Sequence, residues 1–519
     1  MTRRGGTRRR AARGLLALGL AGLVWPATAA VGAEAGLTRA RADALLAKLP
    51  AGDPWEKTPD GSTLAWGESH LLHALVDLYE ATDDVRYLAE AARRGERLLT
   101  HRDDRRGVTD GSGHSRPAWS MASKYVVAEG TVRGADGAVA FTLRSTPTSH
   151  NNLTEVDVLP AGGGRFALKL GNAQFKRTEQ FDDLSLDRGD PRFVEKIVNA
   201  PVFSRIAKAG HFSDHSNLVR VTVAAEQGSP AAGAGLPAQR FALRPIPLAY
   251  MGYLGVIYHP MLRLAEWVRA RPALAEFGRI ADAFVQAAEE SYADASRRLW
   301  RDGPQAGEGY YLCCERGESF PYDNVGEPFN YLGRHTAAQL ILHRLTGKAV
   351  YRERAEKMAL LFKRRLKHDA ARDLYIWNYW YEPVTTTGWT AADSPSRNLP
   401  VLAPAPIVED SSHGVLDIAL VVSAHEVGLV FDATDLRRFA NTLLTHVLTP
   451  GRDGIHRRVD GGAGVYPDYL PALGGWLELS RANPDVYREI RRTIETTGTN
   501  DPKVIAAVLK WERRLAERK

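Results

Sequence analysis

The strongest constraint on the fold is a pair of helical segments that recurs along the chain with a polar turn of constant length. The first copy spans residues 64–99 and the second spans residues 334–366, with a weaker third copy at 421–448. The matched positions are Thr82 and Thr346, Tyr87 and Tyr351, and Ala91 and Ala355, with Phe439 in the aromatic place of the third copy. Helical hairpins that recur in this way bury their faces against one another, in a solenoid or a closed toroid. The unequal loops between the copies favour the toroid.

A different pattern interrupts the helices between residues 123 and 245. Short runs there alternate apolar and polar residues and are broken by Gly, Pro and Asn, which predicts half-buried strands. We therefore predict a mainly α fold, an (α/α) toroid of helical hairpins with an inserted antiparallel β module. The predicted divisions are a signal peptide at 1–30, the first part of the toroid at 31–122, the β-rich module at 123–245 and the remainder of the toroid at 246–519.

The first thirty residues predict export. A basic segment that ends at Arg13 precedes a short apolar run, and small residues follow near Ala29 and Ala30. This order is typical of a secretory signal peptide, and the apolar run is short for a bilayer span. We expect a secreted or periplasmic protein that has no stable membrane insertion after cleavage. An uncleaved anchor is the alternative.

Charge and cysteine content narrow the classes of partner. The sequence has 68 basic and 61 acidic residues, and six of the arginines precede Ala30. The remaining 62 basic residues nearly balance the acidic ones, and no basic stripe typical of a nucleic-acid-binding protein is evident. The two cysteines are adjacent, at Cys313 and Cys314, so an exported chain of this size does not depend on a disulfide framework. We expect no nucleic-acid partner.

The stretch from Val408 to Leu429 carries the first candidate site. Glu409, Asp410 and His413 lead directly into an apolar helix, for which Ser411 or Ser412 is a suitable N-cap. A helix N-terminus favours carboxylates and disfavours an imidazolium, so we expect a neutral His413. A neutral histidine beside carboxylates is suited to act as a general base, and the alternative is a charged helix cap.

Three loops supply further candidates. One follows the first hairpin, one leads into a helix near residue 330, and one is rich in consecutive aromatic residues that are typical of a sugar-stacking platform. Ordinary core packing is the alternative. The substrate-binding candidates are Trp66, His114, Arg116, Trp119, Asn330, Arg334, His335, Trp377, Tyr379, Trp380 and Tyr381, with Glu327 and Tyr331 as catalytic candidates.

Helical hairpins after a secretion signal, a Trp66-Gly67 pair near the first hairpin and aromatic-rich loops together resemble the six-hairpin (α/α) toroid superfamily. Its members include exported glycoside hydrolases, polysaccharide lyases and the helical domain of uronyl C5-epimerases. The resemblance implies an extracellular polysaccharide or oligosaccharide as the substrate. Fold alone does not assign the chemistry.

The residues favour β-elimination from a uronic acid. His413 would remove the C5 proton, Tyr331 would protonate the leaving oxygen, and an arginine or asparagine would neutralise the carboxylate. A glycoside hydrolase that uses Glu327 with Glu409 or Asp410 is the nearest alternative, for which Asp323 and Asp393 are further candidate carboxylates. A uronyl C5-epimerase and a non-catalytic glycan-binding or cell-envelope protein remain open.

A metal site is less favoured. His211, Asp214 and His215 have suggestive spacing, but they lie in the predicted β module without an obvious further ligand. We expect neither a metal nor a cofactor.

Overall fold

The computed structural model describes residues 36–48, 60–200, 212–224, 235–381, 386–404 and 406–518. The chain divides into two compact units, one at Lys124–Pro245 and one that combines the described residues up to Ser123 with those from Ile246 onward. The predicted signal peptide lies outside the described residues.

Fifteen helices occur in the described residues, and most belong to the second of these units. They are α1 (Arg39–Leu46), α2 (Gly61–Thr63), α3 (Ser69–Thr82), α4 (Val85–Thr100), α5 (Asp103–Arg106), α6 (Val194–Val198), α7 (Gly252–Ala270), α8 (Gly278–Leu299), α9 (Phe329–Thr346), α10 (Ala349–Lys363), α11 (Gly414–Glu426), α12 (Ala433–Thr442), α13 (Leu473–Trp476), α14 (Pro484–Thr497) and α15 (Pro502–Ala516). A π-helical turn, Leu64–Glu68, runs directly into α3.

Fourteen strands occur in the described residues. They are β1 (Ser120–Met121), β2 (Ala128–Arg133), β3 (Val139–Ser145), β4 (Thr154–Gly162), β5 (Arg165–Asn172), β6 (Arg177–Leu184), β7 (Val219–Val223), β8 (Gln239–Ala242), β9 (Arg244–Pro245), β10 (Leu248–Ala249), β11 (Trp300–Asp302), β12 (Gly309–Tyr311), β13 (Lys367–Asp369) and β14 (Leu374–Ile376). The strands outside the β-rich unit form three small antiparallel pairs, β1 with β10, β11 with β12, and β13 with β14.

Helix contacts in the helical unit follow an ordered succession. Helix α3 packs against α7, α7 against α9, α9 against α11, α11 against α13, α13 against α15, and α15 against α3 again. A second helix lies beside most of these, since α4 contacts α3, α8 contacts α7, α10 contacts α9, α12 contacts α11 and α14 contacts α15. The succession therefore begins and ends at the same helix.

The recurring sequence positions occupy matching places in the second helix of each pair. Tyr87 in α4 is buried and donates to Asp43 at 2.6 Å, and Tyr351 in α10 is buried and donates to Glu289 at 3.2 Å. Phe439 in α12 is fully buried. Each position therefore buries a large ring, and both phenol groups donate to a carboxylate of a helix outside their own pair.

The β-rich unit consists of two four-stranded antiparallel sheets, with strand orders β7-β3-β2-β9 and β6-β5-β4-β8. Their apolar faces share one core, in which Phe141 of the first sheet stacks on Phe166 of the second at 5.7 Å between ring centroids. Alternating burial along β7, where every second residue faces this core, is the period-two pattern from which strands were predicted.

Within the described residues, no helix combines the length and apolar character required to cross a membrane.

Candidate functional site

The starts of four neighbouring helices meet around Trp66, which lies in the π-helical turn before α3. Its indole ring is 5.8 Å from the ring of Tyr331 in the first turn of α9 and 5.8 Å from the imidazole of His413 before α11, between ring centroids. Tyr253 at the start of α7 lies 6.3 Å from the Tyr331 ring. Because helix N-termini carry partial positive charge, their convergence favours an anionic group among these rings.

Asp410 holds His413 in a fixed orientation. The Nδ1 atom of His413 lies 2.5 Å from Oδ2 of Asp410, and the other carboxylate oxygen accepts the backbone N–H groups of Ser412 and His413, both at 2.9 Å. Asp410 thus fixes the turn before α11, whose N-cap is His413 without a side-chain capping hydrogen bond, so the expectation that Ser411 or Ser412 would cap the helix is wrong. Ser411 instead donates its hydroxyl to a main-chain carbonyl at 2.6 Å.

The opposite nitrogen of His413 makes no bond to Asp410. Nε2 is buried and has no hydrogen-bond partner among the described residues. Burial lowers the pKa of His413, but the charge of Asp410 and the hydrogen bond that it accepts from the imidazole outweigh that effect, so the pKa is raised from 6.5. The expectation of a neutral His413 neglected this carboxylate. The imidazole binds a proton more tightly than a free histidine and acts as a base above its raised pKa.

Glu327 is a second acid-base group, positioned immediately before α9. It is fully buried and accepts a hydrogen bond from the hydroxyl of Tyr250 at 2.8 Å. Burial raises the pKa of Glu327 to about 8, because the ionised carboxylate loses its hydration. At neutral pH Glu327 is consequently a protonated carboxylic acid that can donate a proton or a hydrogen bond.

Asp410 and His413 are called the dyad below. Glu409 and Asp417 form a buried pair of carboxyl groups next to it. Burial first, and then the proximity of the other carboxylates, raise the pKa of Glu409 well above its ordinary value, and burial does the same for Asp417. Asn330 donates to Glu409 at 3.3 Å, and the indole N–H of Trp377 donates to Asp417 at 2.7 Å. Two like charges in one buried site are costly, so each carboxyl group of this pair holds its proton more tightly than a free one.

The aromatic run near residue 380 is buried in this structure. The four side chains are 0–5% exposed, as are Asn330 and Tyr331, so the substrate contacts of Trp377, Tyr379, Trp380 and Tyr381 stay predictions. Tyr379 nevertheless lies beside the dyad, with its ring 5.8 Å from the imidazole of His413. Trp380 packs against the ring of Tyr322 instead. Alternate residues of this run face different parts of one core, which is why so many rings are buried together.

The side chains of the loop after the first hairpin contact other parts of the protein. Trp119 is buried and donates its indole N–H to the carbonyl of Leu98 at 2.9 Å, so its predicted contact with substrate was wrong. Arg116 is buried and pairs with Asp110 at 2.7 Å. His114 is exposed, and its side chain lies near the same carboxylate.

The second loop divides between the site and the core. Asn330 and Tyr331 belong to the site, whereas His335, one turn further along α9, is fully buried beside Tyr292 with its Nδ1 atom 3.1 Å from the phenol oxygen. Burial lowers the pKa of His335 to about 3, so it stays neutral in the core, and its predicted contact with substrate was wrong. Arg334 lies among histidines further inside the helical unit, about one turn along α9 from Tyr331.

Two carboxylates that were weighed for hydrolysis have other positions. Asp323 is fully buried and already accepts backbone N–H groups of Arg397 at 3.0 Å and Asn398 at 2.9 Å, so it fixes a loop. Asp393 is exposed. Of the acids considered from sequence, those near the dyad are Glu327, Glu409 and Asp410. Both cysteines are buried free thiols.

A metal ion is one further possibility for the dyad. A ligand atom from each of Glu409, Asp410 and His413 lies within 4.8 Å of the others. The Nδ1 atom of the histidine and one oxygen of Asp410 already bond to each other, so these two donors are committed to one another. Of the other cluster weighed for a metal, His211 lies outside the described residues.

Sequence patterns missed two members of the site. Tyr250 precedes α7 as Glu327 precedes α9, and Asp417 interrupts the apolar run of α11. Tyr250 could have been predicted from its position just before a helix that packs beside the first hairpin. The signal for Asp417 was its carboxylate inside an apolar helical stretch, because such a residue is seldom buried without a partner.

No family model matches the chain, and no curated protein matches it. The resemblance to the six-hairpin (α/α) toroid superfamily is therefore corrected, since it has no support from a relative. The structure is 48% helical and 18% strand, a content that does not by itself identify that superfamily.

Proposed function

We propose that this protein is an exported lyase that cleaves a uronic-acid-containing polysaccharide by β-elimination. We further propose that its helical unit is a toroid of helical hairpins, with the site at the starts of the inner helices. The succession of contacts from α3 through α15 and back to α3 supports the toroid. The β-rich unit is the inserted module of this arrangement.

The observation that carries the proposal is the setting of His413. Its Nε2 atom is unpartnered among the described residues, its Nδ1 atom is fixed by Asp410, and the Tyr331 phenol packs against the same indole, Trp66. His335 also has a buried Nε2 atom without a partner in the described chain, but its Nδ1 atom meets a tyrosine, so the Asp410 carboxylate on Nδ1 is what distinguishes His413. An oriented imidazole with one free nitrogen beside a tyrosine provides a base and an acid within a single site.

The reaction uses these groups in turn. His413, once neutral, removes the proton from C5 through Nε2, and the electron pair forms the C4–C5 double bond as the C4–O bond breaks. The phenol of Tyr331 protonates the departing oxygen. The protonated carboxyl of Glu327 and the amide of Asn330 stabilise the substrate carboxylate as negative charge develops on it. No water is consumed.

A glycoside hydrolase is the second candidate, and the raised pKa of Glu327 favours it. A carboxylic acid that keeps its proton to about pH 8 suits the general acid of glycoside hydrolysis, with Asp410 or Glu409 as its partner. Replacing Glu327 by Gln discriminates between the two candidates. Gln keeps a hydrogen-bond donor for a lyase, whereas a hydrolase would lose its proton donor.

The function is tested by incubating the protein with a panel of uronic-acid polymers. A lyase raises the ultraviolet absorbance as unsaturated sugars form, and the His413→Ala variant should not. New reducing ends without absorbance would replace the proposal by hydrolysis, and exchange of the C5 proton without cleavage would replace it by epimerisation. Binding without any reaction would leave a glycan-binding protein.

A further inference from the structure

A cluster of basic side chains lies beyond the dyad, inside the helical unit. Its members are His70 and His73 on α3, His259 on α7, Arg334 on α9 and Lys503 on α15. His70 packs against Trp66 with 5.9 Å between ring centroids, so the cluster is one aromatic ring away from His413. Two side-chain contacts connect three of these helices, since the His73 ring lies 5.0 Å from the His259 ring and the guanidinium of Arg334 lies 3.2 Å from Nδ1 of His259.

Arg334 has no carboxylate partner among the described residues. The Nη1 atom of Arg334 lies 3.2 Å from Nδ1 of His259. Its Nε atom is buried without a hydrogen-bond partner in the described chain. Burial and the charge of Arg263 lower the pKa of Arg334 to about 10. A guanidinium that is desolvated without a counter-ion is destabilising.

Other buried cations near Arg334 do form ion pairs with carboxylates. Arg263 pairs with Asp77 at 2.7 Å and with Glu80 at 3.1 Å, and Lys510 pairs with Asp77 at 3.0 Å and with Glu478 at 2.7 Å. The acids nearest to the cluster are therefore already neutralised by other cations. Asp77 and Glu478 attract Arg334 only at longer range, since within the described chain neither forms an ion pair with its guanidinium.

The histidines supply hydrogen bonds rather than a balancing charge. His259 Nδ1 faces both the guanidinium of Arg334 and Nε2 of His73, the latter at 3.4 Å, so it must act as an acceptor from a cationic donor. Burial and then the charge of Arg334 lower the pKa of His73 and of His259 well below 6.5. Both rings remain neutral and cannot offset the positive charge.

Lys503 adds a second cation. It lies in the first turn of α15, and its ammonium makes no ion pair with a carboxylate of the described chain. The cap of that helix, Asp501, is occupied by the backbone N–H groups of Lys503 and Val504. Burial lowers the pKa of Lys503, the charge of Asp501 opposes that effect, and the charge of Arg334 adds to it.

We propose that Arg334 binds the carboxylate of an acidic sugar, with His70 at its edge toward the dyad. A carboxylate would supply the missing counter-ion and accept from the guanidinium. The residues themselves indicate only that an anionic oxygen group binds here. That this group belongs to a uronic acid rests on the proposed function. The proposed subsite holds a uronic acid next to the one that reacts.

The test is calorimetric titration of the full chain with glucuronate, galacturonate, glucose and inorganic sulfate. Uronates should bind and glucose should not, and Arg334→Met should weaken the uronate affinity about tenfold or more, as expected for loss of a charge-assisted hydrogen bond. Arg344→Met is the matched control, because Arg344 lies on the same helix but is exposed and pairs with Glu266 at 2.6 Å. Sulfate binding without uronate binding would identify a free inorganic anion and overturn the sugar assignment.

Thermal unfolding keeps the proposal testable if a variant binds poorly for structural reasons. Removal of an uncompensated cation should raise the melting temperature of Arg334→Met without anion, whereas a purely structural arginine would lower it. Uronate should raise the melting temperature of the wild type and leave that of Arg334→Met unchanged. Arg334→Lys should retain part of the affinity.

The failure of this inference is separable from failure of the proposed function. Elimination activity that persists in Arg334→Met with unchanged KM would refute the subsite and leave the lyase intact. Uronate binding that depends on Arg334, in a protein that releases no unsaturated sugar from any polymer, would support the subsite and refute the lyase.

Discussion

Replacing Glu327 by Gln should stabilise the protein increasingly as the pH rises. The folded chain keeps the proton of Glu327 to about pH 8, whereas the unfolded chain releases it near 4.5. The stabilisation that protonation provides is fully present below 4.5 and is lost as the pH approaches the folded pKa. Each pKa unit is worth about 1.4 kcal/mol, so the wild type loses about 2.5 kcal/mol between pH 5 and pH 7 and about 5 kcal/mol over the whole interval.

Gln has no proton to lose, so the difference in unfolding free energy between variant and wild type should grow by those amounts. Urea titrations at several pH values measure it. Glu308→Gln is the matched control with opposite sign, because Glu308 is equally buried but pairs with Arg365 at 2.8 Å, and these bonds outweigh burial and lower its pKa. Relative to the wild type, Glu308→Gln should have a lower free energy of unfolding above pH 4.5 and a nearly unchanged one below it. A pH-independent difference for Glu327→Gln would refute the assignment of a protonated Glu327.

Three further variants test the site. Asp410→Asn should lower the pKa of His413, which moves the acidic limb of the kcat/KM profile to lower pH while the maximum falls; an unmoved limb would exclude His413 as the titrating base. Tyr331→Phe should reduce kcat about 10²- to 10⁴-fold while polymer affinity is retained, and a change confined to KM would remove Tyr331 from proton transfer. Trp377→Phe should lower the free energy of unfolding by about 1–3 kcal/mol, because the buried Asp417 loses the indole N–H as its hydrogen-bond donor. Denaturant titration measures this, and a variant as stable as the wild type would contradict the prediction.

Helical periodicity and matched turns were sufficient to locate the paired helices. The aligned residues Tyr87 and Tyr351 occupy equivalent buried places, since a repeated turn length fixes where the second helix meets the first. The strand segments of the β-rich unit were likewise visible in the alternation along β3, β5 and β7. The pairing of those strands into two sheets, and the return of α15 to α3, depend on contacts between distant segments that no local pattern encodes.

The candidate site was predictable only where one segment contained the relevant partners. Asp410 and His413 are three residues apart, so their proximity followed from the helix start, although the sign of the resulting pKa shift was missed. The burial of the whole aromatic run was not expected, because exposure depends on which face of a strand or turn meets the core, and Trp377 proved fully buried. The meeting of Trp66 with Tyr331 joins residues from distant hairpins and needed the tertiary structure.

Mass spectrometry of the products from a uronic-acid polymer tests the central proposal most directly. An oriented His413 that acts as the base predicts fragments whose new non-reducing ends are lighter than hydrolysis products by one water, and none from His413→Ala. Saturated fragments, or undiminished release of unsaturated ones by the His413→Ala variant, would contradict it.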